Sequence, residues 1–272
     1  MNGDQCSTTS SSSVLICDKE NTVRVSWSIA DFKIKEELYS SAGSTIFKAK
    51  EVLSEELCVL KRISKSYALT QHESVQVERE IRVHSNLRHR NVIRMLAWFH
   101  DRLSIYMVTE LGDLTVSHML RTQYPSGIPE RVCQTYIDDF MNGLKYLHAH
   151  HVIHRDLKPL NLFIKDNVLK IGDFGSCVHT LDMRKSLCGS VPYMSPEMVG
   201  SGVYSFPHDI WSLGISVHEM LTNTLFFDGN SPMEIYKKIV KDIYTPPPSV
   251  SAEMSNLLIS CLEKNPLKRK KF

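Results

Sequence analysis

The sequence predicts an α+β protein in two lobes, a small antiparallel β lobe carrying one helix and then a larger, mainly α lobe. Three patterns predict it. Short β-type runs separated by polar turn residues fill positions 31–110. One charged stretch among them, Glu73 to Leu87, repeats its apolar residues at helical spacing. Beyond residue 115 the pattern turns helical. A chain of 272 residues with 42% hydrophobic and 23% charged residues can bury cores of that size.

The chain opens with a polar tail, residues 1–26, in which Ser7 to Ser13 is too poor in apolar side chains to offset its ordering entropy, so disorder is expected. The folded part is expected at 27–272, with the small lobe at 27–111 and the large lobe at 112–272. Strands are expected at Asp31 to Leu38, Thr45 to Lys50 and Leu57 to Ile63, joined as a meander. Val77, Ile81 and Val83 give the following helix an apolar face for that sheet. A strand pair near Met95 to His100 and Ile105 to Glu110 closes the lobe. Pro129 reads as an early-turn proline of a helix running to about His150.

Charge and composition narrow the partners. A formal net charge of +2 gives no broad drive toward nucleic acid or anionic lipid, and Trp98, Trp211 and the other aromatics lack basic interleaving. No apolar run nears the roughly 18 residues that span a bilayer, and no signal core opens the chain. An intracellular protein of cytoplasm or nucleus is expected, touching neither membrane nor nucleic acid directly. The 7 cysteines form no C-x-x-C pair, so reduced thiols are expected. His150 and His154 stand four apart like a metal pair, but a helix end, where cationic partial charge is favourable, accounts better for His148, His150 and His151.

The chemistry concentrates in His154-Arg155-Asp156-Leu157-Lys158-Pro159-Leu160-Asn161 and in Asp173-Phe174-Gly175. Phosphoryl transfer needs a group that orients the attacking hydroxyl, cations for the phosphates and oxygen ligands for Mg²⁺. Asp156 fits the first need, Lys158 the second, and Asn161 with Asp173 the third. Taken alone, a lysine in a strand or a glutamate in a helix reads as a surface charge. The ordered set Lys61, Glu80, Asp156, Asn161, Asp173, Glu197 does not.

On these motifs the sequence resembles the eukaryotic protein kinase family from the strand near residue 31 almost to its end. Val59-Leu60-Lys61 resembles the strand lysine motif and Glu80 its helical partner; the resemblance implies that Lys61 holds ATP phosphates and pairs with Glu80. It implies two Mg²⁺ ions on Asn161 and Asp173, and adenine bonded to the backbone at Glu110 to Gly112. Ser195-Pro196-Glu197, Asp209 and Arg269 resemble the family's structural set, implying a Glu197–Arg269 ion pair and an Asp209 that braces the catalytic loop. Phe174, Met95, His84 and His154 align with its hydrophobic spine. Lys158 after Asp156 is similar to serine/threonine kinases, so protein hydroxyls are the expected substrate. Trp27 to Phe32, Leu87-Arg88-His89-Arg90-Asn91 and Leu187-Cys188-Gly189-Ser190 resemble the Aurora kinases. That likeness implies work in cell division at spindle or chromosomes, an activating peptide docked around the Glu80 helix, and an activating phosphate on Ser186 that pairs with Arg155.

The chain departs from the family in three places. Tyr39, Ser41 and Ser44 stand where glycines cradle the phosphates, with one glycine displaced to Gly43, and Ile46 and Val59 complete the expected nucleotide contacts. Weak ATP binding is the physical expectation. Leu160 replaces an acidic residue that basophilic members use, which leaves selectivity for basic substrates open. The sequence also stops after Lys270-Lys271-Phe272, before the last helix such a domain has. The sequence alone leaves two rivals open, a scaffold that keeps the fold without catalysis and a phosphotransferase for small molecules.

Overall fold

The structure, a computed structural model, describes residues 26–68, 71–180, 189–202 and 205–271. These described residues divide into two compact units, those up to residue 81 together with 94–111, and 82–93 together with those from 112 onward.

In the first unit β1 (Phe32–Ser40), β2 (Ser44–Glu51) and β3 (Leu57–Ser64) precede α1 (Lys65–Ala68) and α2 (Gln71–His84), then β4 (Met95–His100) and β5 (Ser104–Glu110). The last residues of α2, 82–84, group with the second unit. The sheet runs β1-β2-β3-β5-β4, antiparallel throughout. The expected meander therefore holds for three strands, and then β5 rather than β4 lies beside β3. Burial explains the order. Tyr106, Met107 and Val108 of β5 are consecutive and all buried, as a strand with neighbours on both sides and apolar cover on both faces requires.

Tyr106 and Val108 face Phe47, Ala49, Leu60 and the stacked rings of Trp27, Phe32 and Phe99, whose successive centroids lie 5.4 and 5.7 Å apart. Met107 faces the other way, onto Ile63, Val77 and Met95. Val77 belongs to α2, so the apolar stripe read from the sequence is what seats the helix on the sheet.

The second unit is mainly helical: α3 (Val116–Thr122), α4 (Glu130–Ala149), α5 (Pro196–Ser201), α6 (Phe206–Thr222), α7 (Pro232–Lys241) and α8 (Ala252–Cys261). Short strands join them, β6 (Leu114–Thr115), β7 (Val152–Ile153), β8 (Leu162–Lys165), β9 (Val168–Ile171) and β10 (Val178–His179), paired as β6-β8-β9 and β10-β7. Pro129 sits at the N-cap of α4, one position before the expected first turn, with φ −53° that already suits a helix start. Every residue of α6 from His208 to His218 is buried, so the helix is wrapped on all sides and forms the unit's axis. Residues 82–93 join through Asn91, whose Nδ2 donates to the Leu169 carbonyl at 2.9 Å, and through Ile93, whose N–H donates to the Ile171 carbonyl at 2.8 Å. Among the described residues no helix is long and apolar enough to cross a membrane.

Candidate active site

Sheet register positions the first group of residues. Tyr39 pairs with Ile46, Ile46 with Lys61, and Lys48 with Val59, which sets the expected nucleotide-contact side chains of β1, β2 and β3 in adjacent rows. Alternation sends Lys61 to the same face as Ile63, where α2 lies, and Glu80 follows Val77 by three residues on the inward side of that helix. Lys61 Nζ donates to both Glu80 oxygens at 2.8 and 2.9 Å, and Glu80 is buried. The pairing implied by the resemblance is thus present.

The hairpin between β1 and β2 is closed by its own hydroxyls. Ser41 N–H donates to the Ser44 carbonyl at 2.8 Å, and Ser44 N–H donates to Ser41 Oγ at 3.3 Å. Two amides that a glycine loop would turn toward phosphate are spent inside the turn. Gly43 is a glycine because Tyr67 of α1 lies against it: an added Cβ would come within 2.0 Å of the ring. At the end of β5 the Glu110 N–H is also spent, on the Arg94 carbonyl at 3.0 Å, and Gly112 gives room to Phe163 of β8.

In the second unit the loop after β7 is built around Asp156. Asp209 of α6, fully buried, accepts from the N–H groups of His154 and Arg155 at 2.9 Å each and takes His148 Nε2 at 3.0 Å. This is the brace that the resemblance implied. It holds Arg155 at φ 71°, a left-handed conformation that would otherwise relax. Asp156 Oδ2 then receives Lys158 Nζ at 2.8 Å and Asn161 Nδ2 at 3.1 Å, and Oδ1 receives both the N–H and the hydroxyl of Ser190 at 2.9 Å. Burial alone would raise the Asp156 carboxyl, but the Lys158 ammonium and the Ser190 hydroxyl outweigh it and hold the group below the usual carboxylate range. Asp156 is therefore an anion at neutral pH.

Asn161 and Asp173 are the residues expected to hold Mg²⁺. The Asn161 side-chain nitrogen is engaged by Asp156, at its backbone carbonyl (2.8 Å) and its carboxylate, so the amide oxygen is the atom left to face a cation. The Asn161 carbonyl accepts from the Gly172 N–H at 2.9 Å, tying the loop to the residue before Asp173. Asp173, at φ 59°, accepts from the Gly175 N–H through Oδ1 at 3.3 Å. Two hard oxygen donors on a constrained backbone fit Mg²⁺. Phe174 is packed between His84, at 4.4 Å, and His154, at 5.1 Å, whose Nε2 pairs with the Gly172 carbonyl. Met95 packs in the first unit's cluster with Ile63 and Met107.

Farther along, Arg269 grips both oxygens of Glu197 at 2.7 and 3.0 Å, the pair implied by the resemblance. Ser190 was not read as a site residue from the sequence. Gly189 delivers it: with φ +94° and the Arg155 carbonyl 2.4 Å from where a Cβ would lie, a glycine lets this segment close onto Asp156. A hydroxyl after a glycine did not single Ser190 out, because between Asp173 and Glu197 Gly175-Ser176 shows the same pattern as Gly189-Ser190. Ser186, the expected phosphosite, and Cys188 lie outside the described residues.

A lysine–glutamate pair on a five-stranded sheet and an ionised aspartate with an amide and a carboxylate on a helical unit define a protein kinase. Residues 32–272 match the family model described as "Protein kinase domain". Serine/threonine-protein kinase Aurora-2 of Arabidopsis thaliana is 36% identical over 249 residues, covering 89% of this chain and 87% of that protein. The Aurora kinase of Schizosaccharomyces pombe is 36% identical over 247 residues (89% and 68%), and that of Encephalitozoon cuniculi 34% over 244 residues (88% and 90%). The chain belongs to the protein kinase family as an Aurora-like serine/threonine kinase.

Proposed function

We propose that this chain transfers the γ-phosphate of ATP to serine or threonine hydroxyls of protein substrates, with Asp156 as the group that receives the hydroxyl. The observation that carries the reading is the Asp156 carboxylate itself, kept anionic by Lys158 and oriented through both oxygens by Ser190 and Asn161. Asp156 orients the hydroxyl and takes its proton, Lys158 supplies a positive charge beside it, and Lys61, fixed by Glu80, binds phosphate oxygens of the nucleotide. Tyr39, Ile46, Val59 and the backbone of Glu110 and Gly112 contribute nucleotide contacts, and Ser41 and Ser44 stand in for loop glycines. Asn161 and Asp173 would hold Mg²⁺, which when bound neutralises phosphate charge. Radiolabelled phosphate transfer from ATP to a generic protein substrate tests this. Wild type should transfer, and Asp156→Asn should fall by about a thousandfold. Transfer surviving in Asp156→Asn would remove Asp156 from the role.

The Aurora likeness supports three finer proposals. Phosphate on Ser186 activates the enzyme; mass spectrometry of active protein without that phosphate, together with a fully active Ser186→Ala, would dispose of it. An activating peptide docks on the small lobe around the Glu80 helix; the nearest cavity, of about 370 Å³, begins at the helix's last turn and is lined by Arg82, Val83, Asn86 and Leu87 together with His150, Val152 and His179. Arg82→Glu should weaken activation by such a peptide, and unchanged activation would reject the site. The protein acts in cell division, at spindle or chromosomes; a tagged copy absent from both in dividing cells would count against it.

A further inference from the structure

Leu160 is 54% exposed, while its neighbours Pro159 and Asn161 are buried. Single exposed leucines are ordinary on protein surfaces. This one lies four residues after Asp156, in the loop proposed to receive the substrate hydroxyl. Two residues before it, Lys158 Nζ bonds Asp156 at 2.8 Å and Ser190 Oγ at 2.6 Å, so the loop and the segment after Gly189 meet at the carboxylate that receives the hydroxyl.

These two segments offer an incoming basic side chain only carboxylates that are already engaged. Within 154–161 and 189–197 the acids are Asp156 and Glu197. Asp156 is occupied by Lys158, Asn161 and Ser190, and Glu197 is held through both oxygens by Arg269. Glu219 lies behind Tyr193, whose hydroxyl donates to it at 2.5 Å, and burial pushes its carboxyl upward, toward the neutral form. An arginine arriving here meets the Lys158 ammonium and a leucine, with each of these carboxylates already engaged. An apolar side chain meets a surface it can cover.

We infer that Leu160 selects protein substrates with an apolar residue, in place of a basic one, close to the phosphorylated serine or threonine. The inference rests on the phosphotransfer reading above. Leu160 follows Asp156 by four positions, and at about 3.3 Å per residue of extended peptide the selected position lies within about three residues of the acceptor. One hydrophobic contact of this kind discriminates by about tenfold in kcat/KM.

A positional-scanning library of serine peptides, phosphorylated by wild type, Leu160→Ala and Leu160→Glu, tests it. Wild type should favour leucine, isoleucine, methionine or phenylalanine about tenfold over arginine at one such position. Leu160→Ala should lose that preference, and Leu160→Glu should turn it into one for arginine. Wild type preferring arginine there, or Leu160→Glu keeping the wild-type profile, overturns the inference and leaves the kinase reading intact. No transfer by wild type to any peptide or to the generic protein overturns both.

Discussion

Asp156 should register the loss of a single hydroxyl. Ser190→Ala removes the Oγ that bonds both Asp156 Oδ1 and Lys158 Nζ, while the Ser190 N–H contact survives. We expect kcat to fall by about tenfold to a hundredfold with KM for ATP little changed, because each lost hydrogen bond to a charged group is worth roughly 1.5–3 kcal/mol; steady-state kinetics checks this, and an unchanged kcat refutes it. His218 of α6 makes a separate prediction about pH. It is buried against the Tyr244 hydroxyl at 3.0 Å, and burial pushes it down to about 4. The folded value lies below the unfolded one, so the contribution to stability is complete above about pH 6.5 and is lost as pH falls toward 4. The loss approaches roughly 3 kcal/mol. Denaturant melts at pH 7.5 and 4.5 should show His218→Gln losing less stability than wild type over that interval; equal losses would reject the role.

Among the elements, the β1–β2 hairpin differs most from what a nucleotide loop needs. Ser41 and Ser44 consume each other's backbone groups, and Tyr67 lies over Gly43. Replacing both serines by glycine frees the Ser44 N–H and loosens the turn. We expect ATP to bind up to about tenfold more tightly, since a net hydrogen bond is worth about 1 kcal/mol; calorimetric titration measures it, and weaker binding would show that the serines already serve the phosphates. The strands were legible in the sequence because alternation is local, and Phe32–Ser40, Ser44–Glu51 and Leu57–Ser64 fall where it placed them. The neighbour of β3 was not legible. Which strand lies inside a sheet depends on apolar cover over both faces, and for β5 that cover comes from α2 on one side and from Trp27, Phe32 and Phe99 on the other.

At the scale of the molecule, Arg269 links the end of the described chain to Glu197 and to the Pro207 carbonyl in the first turn of α6. Its guanidinium is fully buried and also stacks over Trp211 at 5.2 Å. Arg269→Ala leaves the half-buried Glu197 carboxylate without the partner that holds both its oxygens, and we expect a loss of about 3 kcal/mol, read from urea melts of the full chain; a loss under about 1 kcal/mol would mean that the pair is dispensable. Sequence alone was enough to group the residues proposed for phosphoryl transfer. Asp156, Lys158 and Asn161 lie within one short loop, and a short loop keeps its residues together whatever the rest of the chain does. The same holds for the order of Lys61, Glu80 and Asp173, which the family resemblance converted into roles. It took the folded chain to show that Ser190, 34 residues from Asp156, closes onto it, that Tyr193 takes Glu219 across 26 residues, and that Leu160 faces water while its neighbours do not. Those facts depend on chain segments meeting after Gly189 turns and α6 is buried, and no spacing along the sequence encodes such a meeting.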